Sequence, residues 1–200
     1  MKSSAFIVAL FGPDGSGKST VADLLEEELQ LRGIQVARYH WRPRILPSLK
    51  RKHITFAFND PSGIPTRSYL LSLVSYLYYF LDFLLAGRIL FQSSSKTRHV
   101  VIYERYFFDV LVHPQRYGLK EIAWLGNLCS RLLRKPDVMY LLTGTPVVIH
   151  NRKPELTVSE IDRQIAFMCS VLPNYALCHV LDTDSNSALE LARLIEKSTV

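Results

Sequence analysis

The stretch "FGPDGSGKST", residues Phe11 to Thr20, places three glycines, a proline, an aspartate and a lysine in one turn. The run "AFIVALF", residues 5–11, leads into the turn, and continuous apolar residues of this length are typical of a strand buried on both faces. After the turn, apolar residues recur at helical spacing: Val21, Leu24, Leu25 and Leu29. Gly33 is placed to end this helix, so the sequence predicts a strand, a glycine-rich turn and a helix in direct succession.

The turn fits the phosphate-loop pattern G-x-x-x-x-G-K-S. Glycines permit the positive φ angles that aim successive N–H groups at one anion, and the following helix adds its N-terminal dipole. Lys18 supplies a point charge for β- and γ-phosphates, and the Ser19 hydroxyl can ligate Mg²⁺. We therefore expect a nucleoside triphosphate site, whose predicted nucleotide-binding residues are Gly12, Gly15, Ser16, Gly17, Lys18, Ser19 and Thr20.

Four further short segments predict strands: "IQVARY" from residue 34, "VVIYE" from 100, "VMYLL" from 138, and a short one around 179–181. Helical patterns fill the intervals. This alternation predicts an α/β fold: a five-stranded, mostly parallel sheet with helices on both faces, the three-layer P-loop NTPase arrangement, in one domain spanning 1–200. Ligands of such sheets bind at the carboxyl ends of the strands, where the turn, "HWRPR", Glu104–Arg105 and "TGTP" all lie.

The amino-acid composition restricts the class of protein, its partners and its cellular compartment. The 200 residues, 48% hydrophobic and 21% charged, are enough for one globular core. A net charge of +6 favours an anionic partner, but the basic residues are scattered, so we expect no nucleic acid. Cys129, Cys169 and Cys178 form no C-x-x-C pair, and the first apolar run is too short for a secretory signal, so we expect a cytoplasmic protein.

The stretch from Ser68 to Phe91 is long and apolar enough to span a bilayer. Asp82 near its centre would cost about 2.5–3.5 kcal/mol there. A single crossing would also separate the phosphate loop from Glu104. A small-or-polar stripe follows one side of the predicted helix: Ser68, Ser72, Ser75, Tyr79, Asp82 and Ala86. We predict a largely buried helix and no integral span, with the stripe facing either water or a pocket lined by Tyr79 and Asp82; a peripheral membrane contact stays open.

An acid–arginine pair, Glu104–Arg105, follows the third predicted strand in "VVIYERYFFDVLVHPQRYG". In a phosphate-loop enzyme such an acid can reach the Mg²⁺ shell or the attacking hydroxyl, and the arginine can hold an anionic acceptor or the migrating phosphoryl group. The alternative is a surface ion pair at a strand end; the phosphate loop favours the functional interpretation. Arg116, further along, either reaches the acceptor or stabilises its own loop.

These motifs together resemble the thymidylate kinase family of P-loop kinases. The resemblance rests on "GPDGSGKST", on "ERY" where that family has Asp-Arg-Tyr, on "KPDVMYLL", and on "NRKPELTVSEIDRQ" in the lid region. It covers most of the chain in order, and only the first motif is highly specific. Thymidylate-kinase-like proteins share three further patterns, which correspond here to Glu104–Asp109, Pro114–Tyr117 and Arg152–Glu155.

The resemblance implies a kinase that uses ATP and Mg²⁺ as cofactors, with a short lid at about 144–158. Its implied catalytic residues are Lys18, Glu104, Arg105, Arg152 and Asp14. Asp14 would face the transferred group or the acceptor, and Arg152 would close over the γ-phosphate. Ser19 and Glu104 would serve the metal, Glu104 through water or by orienting the acceptor instead. The expected acceptor-binding residues are Arg42, Tyr79, Asp82, Arg105 and Asp109.

Two departures from the family bear on the acceptor. Glutamate stands where the family has aspartate before Arg105, which is similar to the Glu-Arg-Ser motif of deoxynucleoside kinases. "HWRPR" replaces Arg-Glu-Pro after the second strand, so Trp41 either stacks on an acceptor ring or packs in the core. A nucleoside monophosphate is the leading acceptor, followed by a nucleoside or another small phosphorylated metabolite. A nucleotide-dependent switch or scaffold, a binding module without turnover, and a homodimer stay open.

Overall fold

The computed structural model describes residues 5–47, 67–89 and 99–199. The strands are β1 (Phe6–Phe11), β2 (Gln35–Tyr39), β3 (His99–Tyr103), β4 (Val138–Thr143) and β5 (Cys178–Asp182). The α-helices are α1 (Lys18–Leu31), α2 (Tyr69–Ile89), α3 (Asp109–Val112), α4 (Ala123–Leu132), α5 (Pro146–Arg152), α6 (Val158–Val171) and α7 (Ala188–Thr199). Short 3₁₀ helices lie at Pro114–Tyr117 and Leu172–Asn174.

The five strands form one sheet in the order β2-β3-β1-β4-β5, and every neighbouring pair is parallel. Val8 of β1 lies opposite Ile102 of β3 and Val138 of β4, so β1 is the central strand and lies between these two neighbours. This arrangement confirms the predicted α/β fold, and the sheet is entirely parallel. The carboxyl ends of β1, β3 and β4 therefore lie at one edge, where the phosphate loop begins.

Helices cover both faces of the sheet because alternate residues of β1 point into two separate cores. Ile7, Ala9 and Phe11 are fully buried in the core on one side, which includes residues of α2, α4 and α6. Val8 and Leu10 are fully buried on the other side, against α1 and α7. Burial on both faces explains why the first strand is a continuous apolar run rather than an alternating one.

The stripe of small and polar residues is buried along α2, which contradicts the alternative that it faces water; Ser68, directly before the helix, is exposed. Ser72 and Asp82 have no exposed surface, because each finds a hydrogen-bond partner inside the fold: the Ser72 hydroxyl accepts from the Lys120 amide at 3.0 Å, and Asp82 binds two amides of the β2–α2 loop. The exposed face is instead apolar, and its residues are 41–69% exposed: Leu70, Val74, Leu77 and Leu81. Burying a polar group costs less folding free energy when the group has hydrogen-bond partners than when it has none.

Within the described residues, the α2 segment Tyr69–Arg88 is the one helix long and apolar enough to cross a membrane. Helices packed in the cores of soluble proteins meet the same criteria of length and composition. Only 39% of this segment is buried, so the prediction of a largely buried helix is wrong.

A candidate active site at the carboxyl edge of the sheet

The phosphate loop turns sharply between β1 and α1 by means of glycines with positive φ. The φ angles of Gly12, Gly15 and Gly17 are 141°, 90° and 84°. A Cβ atom at Gly12 would lie 2.4 Å from the Leu142 carbonyl oxygen and 2.5 Å from Ser16 Oγ. Both the backbone angle and the space therefore require glycine, and the loop delivers its amides to the N-terminus of α1.

Lys18 is buried inside this loop. Its Nζ donates hydrogen bonds to the carbonyl oxygens of Gly12 at 2.8 Å and Pro13 at 2.6 Å. Burial, assisted by the neighbouring Arg105, lowers the pKa of Lys18 to about 7. An anion bound in the loop would favour the charged form of Lys18 and raise its pKa again. The loop is therefore suited to bind a negatively charged group.

Glu104, directly after β3, links the start of α1 to β2. Ser19 Oγ donates to Glu104 Oε2 at 2.5 Å, and Arg38 donates to Oε1 through Nε at 3.0 Å and Nη2 at 2.7 Å. The Glu104 amide also donates to the Tyr39 carbonyl at 3.0 Å, which fixes the backbone. Burial alone would raise the pKa of Glu104, but the bonds from Ser19 and Arg38 lower it below its usual value. The carboxylate therefore stays ionised.

Asp14, at the tip of the loop, lies between two arginines. Arg105 Nη2 donates to Asp14 Oδ1, and Arg116 Nη2 donates to Oδ2 at 2.7 Å. Burial raises the pKa of the Asp14 carboxyl, but Arg116, Arg105 and Lys18 together lower it to about 2. Arg105 itself is 8% exposed. The arrangement holds two guanidinium groups and one carboxylate at the mouth of the phosphate loop.

A cavity of about 690 Å³ joins these groups. Its described lining includes every residue of the predicted catalytic set: Asp14, Lys18, Glu104, Arg105 and Arg152. Ser19 also lines it, as do His40 and Arg116. Five basic side chains and three carboxylates line the cavity, so basic groups outnumber acidic ones even without His40. Such a cleft attracts polyanions.

Arg152 lines both this cavity and a second one of about 330 Å³. Its guanidinium donates to Thr183 Oγ1 at 3.2 Å and to the Thr183 carbonyl at 3.3 Å. The second cavity has an apolar wall formed by Val21, Ala188 and Leu191 and a polar side in the β5–α7 loop. A flat ring with polar edges fits such a space next to a phosphate loop.

The segment after β2 makes a third cavity, of about 470 Å³, lined by residues 38–44. Arg42 lines it, yet its side chain is only 8% exposed, with Nη1 3.6 Å from Asp82 Oδ2 and the guanidinium 5.5 Å from the Tyr79 ring centre. Trp41 stacks on Tyr117 with ring centres 4.1 Å apart. The aromatic residues here pack on one another, which corresponds to the core alternative for Trp41.

Three residues expected to bind the acceptor do not line any of these three cavities: Tyr79, Asp82 and Asp109. Asp82 Oδ1 accepts from the Leu46 amide at 2.7 Å and Oδ2 from the Arg44 amide at 3.3 Å, so both oxygens are engaged. Asp109 Oδ2 accepts from the Tyr117 hydroxyl at 2.5 Å. Their part in acceptor binding stays a prediction.

Arg38 is a site residue that the sequence reasoning did not identify. It contacts Glu104 and, through Nη2 at 3.3 Å, the Ser19 carbonyl, and it also pairs with Asp23. The sequence offered little signal for this role, because β2 is an edge strand whose residues are exposed or half-buried. An arginine in such a strand does not by itself indicate a carboxylate partner, and the contact with Glu104 appears only in the structure.

The described residues hold no group of three or more His, Cys, Asp or Glu side chains that could form a metal cage. The oxygen donors at the loop are the Ser19 hydroxyl and the Glu104 carboxylate, 2.5 Å apart. Mg²⁺ usually keeps several waters and binds one or two protein oxygens together with substrate phosphates. This pair fits such a partly hydrated ion.

Comparison with known proteins agrees with the geometry. No protein-family model matches the chain. A probable thymidylate kinase of Thermococcus kodakarensis is 30% identical over 169 residues, which cover 84% of this chain and 81% of that protein. Probable thymidylate kinase 1 of Saccharolobus solfataricus is 24% identical over 204 residues, covering 96% of this chain and 97% of that protein.

Proposed function

The chain belongs to the thymidylate kinase family of P-loop nucleotide kinases, and from this premise we propose that it transfers the γ-phosphoryl group of ATP to a nucleoside monophosphate of the thymidylate type. One observation carries the proposal: the phosphate loop, the acid Glu104 and three arginines line the same cavity. Residues 1–200 act as one domain in this proposal, and the reaction takes place in the cytoplasm.

ATP binds with its triphosphate along the amides of residues 12–20. Lys18 then exchanges its bonds to the loop carbonyls for the β- and γ-phosphates, to which it lends a full charge. The adenine ring enters the smaller cavity beyond Arg152, against the apolar wall of α1 and α7. This placement leaves the larger cavity for the γ-phosphate and the acceptor.

Ser19 and Glu104 are the residues that would hold Mg²⁺, Ser19 with its hydroxyl and Glu104 through water. The ion, when bound, neutralises charge on the β- and γ-phosphate oxygens. Glu104 is suited to this part because its carboxylate stays ionised and its position is fixed from both α1 and β2. Arg38 limits the rotation of the carboxylate and keeps it facing Ser19.

Transfer relies on positioning and charge neutralisation rather than on covalent chemistry. Arg105 contacts the anionic group of the acceptor, and Asp14 orients the acceptor beside the γ-phosphate. Residues 144–158, which comprise α5 and its connection to α6, close over the site and bring Arg152 to the migrating group. Closure excludes water, which would otherwise take the phosphoryl group in place of the acceptor.

The roles of the loop and of the arginine can be separated by two variants. Lys18→Ala and Arg105→Ala both abolish acceptor-dependent ADP release, whereas only Lys18→Ala greatly weakens binding of Mg·ATP, measured by calorimetry. Arg131→Gln, which changes an exposed arginine on α4, serves as the control and retains both properties. Equal loss of ATP affinity in the two alanine variants contradicts this division.

A substrate panel tests the activity itself. Wild-type protein is incubated with Mg·ATP and nucleoside monophosphates, nucleosides or sugar phosphates, and ADP release is recorded with phosphorus NMR of the products. Release that depends on thymidine monophosphate supports the proposal. Release with a nucleoside alone supports a nucleoside kinase, and hydrolysis stimulated by no small acceptor supports a nucleotide-dependent switch.

We also propose that the exposed apolar face of α2 packs against a second copy of the chain. Leu70, Val74, Leu77 and Leu81 follow one another at steps of 4, 3 and 4, the spacing at which helices pack along a shared seam. Leu77→Glu should give a monomer by light scattering after gel filtration. Leu31→Glu, at an exposed leucine on α1, should leave the mass unchanged. A monomeric wild type contradicts the proposal.

A further inference from the structure

The third cavity, of about 470 Å³ and lined by residues 38–44, takes no part in the reaction described above. We infer that this cavity, called the β2-loop cavity below, is a second oxyanion site. It takes a phosphate or carboxylate group that the acceptor carries in addition to the phosphate that receives the γ-phosphoryl group. The inference rests on the proposed function and narrows it, because thymidine monophosphate has a single phosphate and would leave this site empty.

Two neighbouring residues bring unpaired hydrogen-bond donors to the β2-loop cavity. Trp41 Nε1 and Arg42 Nη1 are both buried without a hydrogen bond within the described residues. The Arg42 side chain is 8% exposed, and none of its N–H groups has an acceptor in this part of the chain. Because nearly all buried polar groups in folded proteins have a partner, two unpaired donors at one cavity indicate an acceptor group that a ligand supplies.

The surroundings of Arg42 hold its guanidinium group in place without accepting its N–H groups. The ring centres of Trp41, Tyr78 and Tyr79 lie 5.5–5.9 Å from the guanidinium carbon. Asp82 Oδ2 lies 3.6 Å from Arg42 Nη1, but both Asp82 oxygens already accept backbone amides. Aromatic rings attract a cation but offer no oxygen for a forked contact, which a phosphate or a carboxylate provides.

The acidic groups near the β2-loop cavity lie outside its lining. Four carboxylates pair with two arginines of the lining: Asp82 with Arg42, and Glu104, Asp23 and Glu26 with Arg38. None of the four lines the cavity, and the Arg44 side chain has no ion pair within the described residues. These acids balance the formal charge of the arginines, so what the cavity offers an oxyanion is free N–H groups, those of Arg42 and Arg44, rather than an excess of charge.

The backbone of the loop is held in an unusual conformation at Arg44. Its φ of 60° is the one positive φ at a residue other than glycine in the part of the chain that the structure describes. Such a conformation costs free energy and is found in native proteins mainly at binding sites. Asp82 maintains it by accepting the amides of Arg44 at 3.3 Å and Leu46 at 2.7 Å. The exposed Arg44 side chain is thereby kept at the cavity that it lines.

His40 connects the β2-loop cavity with the 690 Å³ cavity, because this residue lines both. A molecule that occupies the larger cavity beside Lys18 and Glu104 can therefore extend past His40 to the arginines of the loop. The 330 Å³ cavity proposed for adenine shares no lining residue with the β2-loop cavity. We therefore assign the second oxyanion to the acceptor and not to ATP.

The indole of Trp41 reports directly on binding in this cavity. The chain has two tryptophans, so proton–nitrogen NMR shows two indole N–H signals, and Trp124→Phe assigns them. The protein is saturated with Mg²⁺ and a non-hydrolysable ATP analogue, which fills the phosphate loop, and is titrated with inorganic phosphate at an ionic strength kept constant with chloride. The Trp41 signal should shift to saturation at millimolar phosphate, whereas the signal of Trp124, which is 60% exposed on α4, should not move.

Variants of the two arginines with free N–H groups test which side chains bind the phosphate. Arg42→Gln should weaken binding at Trp41 about tenfold or more, the usual cost of losing a charge-assisted hydrogen bond, and the exposed Arg44 should cost about threefold when changed to Gln. Because Arg42→Gln leaves Asp82 without its counter-ion, Arg42→Gln with Asp82→Asn is measured beside it, and far-UV circular dichroism checks that each variant is folded. The control Arg105→Gln, in the larger cavity, should leave the Trp41 titration within about twofold of wild type.

Three results of this titration would overturn the inference. They are no saturating shift of Trp41 at millimolar phosphate, wild-type affinity in both arginine variants, and competition between phosphate and thymidine monophosphate for the Trp41 signal. Competition would show that the cavity takes the accepting phosphate itself and no second group.

Acceptors with two anionic groups test the assignment of the oxyanion to the acceptor. In ADP release, Arg42→Gln should lower kcat/KM about tenfold or more for thymidine 3′,5′-bisphosphate or a sugar bisphosphate and less than about twofold for thymidine monophosphate. Equal losses, or a higher kcat/KM of wild type with thymidine monophosphate than with every doubly anionic acceptor, overturn the assignment.

The NMR titration distinguishes this inference from the proposed function. Phosphate binding at Trp41 that changes as described, in a protein that phosphorylates no nucleoside monophosphate or bisphosphate, leaves the oxyanion site standing and removes the kinase proposal. Phosphorylation of thymidine monophosphate without phosphate binding at Trp41 does the reverse.

Discussion

Asp82 allows a sharp test of whether a buried carboxylate supports the fold or binds the acceptor. The side chain has no exposed surface, both oxygens accept backbone amides of the β2–α2 loop, and Arg42 lies 3.6 Å away with its side chain 8% exposed. Asp82→Ala would leave the amides of Arg44 and Leu46 without acceptors and the Arg42 guanidinium without its counter-ion. We expect the folded state to lose stability before any effect on substrate arises.

The magnitude follows from these contacts. Removing one partner of a buried ion pair costs about 3–5 kcal/mol, and each unpaired buried amide about 1–3 kcal/mol, but the terms overlap because one side chain makes all three contacts. We therefore expect a loss of about 3–5 kcal/mol for Asp82→Ala and about 2 kcal/mol for Asp82→Asn, which keeps the shape and one acceptor. For a chain of this size the first value lowers Tm by roughly 6–20 °C.

Urea unfolding followed by circular dichroism measures these losses, with Asp162→Ala, at an exposed carboxylate on α6, as the control that stays within about 0.5 kcal/mol of wild type. The double variant Arg42→Met with Asp82→Ala should be more stable than the sum of the single changes predicts, because no lone charge is left buried. A loss below about 1 kcal/mol for Asp82→Ala, together with a raised acceptor KM, would refute the reasoning and favour an acceptor-binding residue.

Three further predictions concern the phosphate loop and the carboxylate of Glu104 beside it. The pKa of Asp14 in the folded protein, about 2, lies below the ordinary 3.8, so the ionised carboxylate stabilises the fold by about 2 kcal/mol above pH 4, and this stabilisation is lost as the pH falls towards 2. In urea unfolding between pH 2 and 5, Asp14→Asn should therefore reduce the dependence of the free energy of unfolding on pH. An unchanged dependence contradicts the pairing of Asp14 with the arginines. Gly12→Ala should destabilise the fold by more than about 3 kcal/mol, because its Cβ would lie 2.4 Å from the Leu142 carbonyl oxygen. Gly17→Ala should cost only about 1–2 kcal/mol, because this position has a positive φ but no atom close to the added Cβ. Equal melting temperatures of the two variants would show that the clash at position 12 is relieved. Glu104→Gln should weaken Mn²⁺ binding to the protein–ATP complex about 10- to 100-fold by electron paramagnetic resonance while leaving metal-free ATP binding within about twofold, and unchanged Mn²⁺ affinity would remove Glu104 from the metal site.

The fold could be predicted from the sequence because the three central strands, β1, β3 and β4, are short and mainly apolar and alternate with helical patterns. The phosphate loop was equally accessible, since its spacing alone demands positive φ and a helix N-terminus, and the structure has both. Glu104–Arg105 could be placed at the same edge because a parallel sheet aligns the carboxyl ends of its strands. These inferences depend on local pattern and on one rule of topology.

The remaining features depend on which groups meet across the fold. The face of α2 that points outwards could not be deduced, because its polar stripe finds partners in the β2–α2 loop and at Lys120, far along the chain. The bond from Arg38 to Glu104 and that from Arg116 to Asp14 have the same origin. Periodicity identifies a polar residue in an apolar element, but the residue's partner decides whether it faces water, a ligand or a buried charge.

The bonds that build the candidate site join residues that lie far apart in the chain. Ser19 and Glu104 are 85 positions apart, Asp14 and Arg105 are 91, and Asp14 and Arg116 are 102. Because such loops must close before these contacts can form, we expect the contacts to form after the local contacts of the glycine-rich turn and α1. A chain emerging from the ribosome can complete its glycine-rich turn and first helix within 33 residues, yet it acquires the carboxylate–guanidinium network only after more than half of its length has been synthesised.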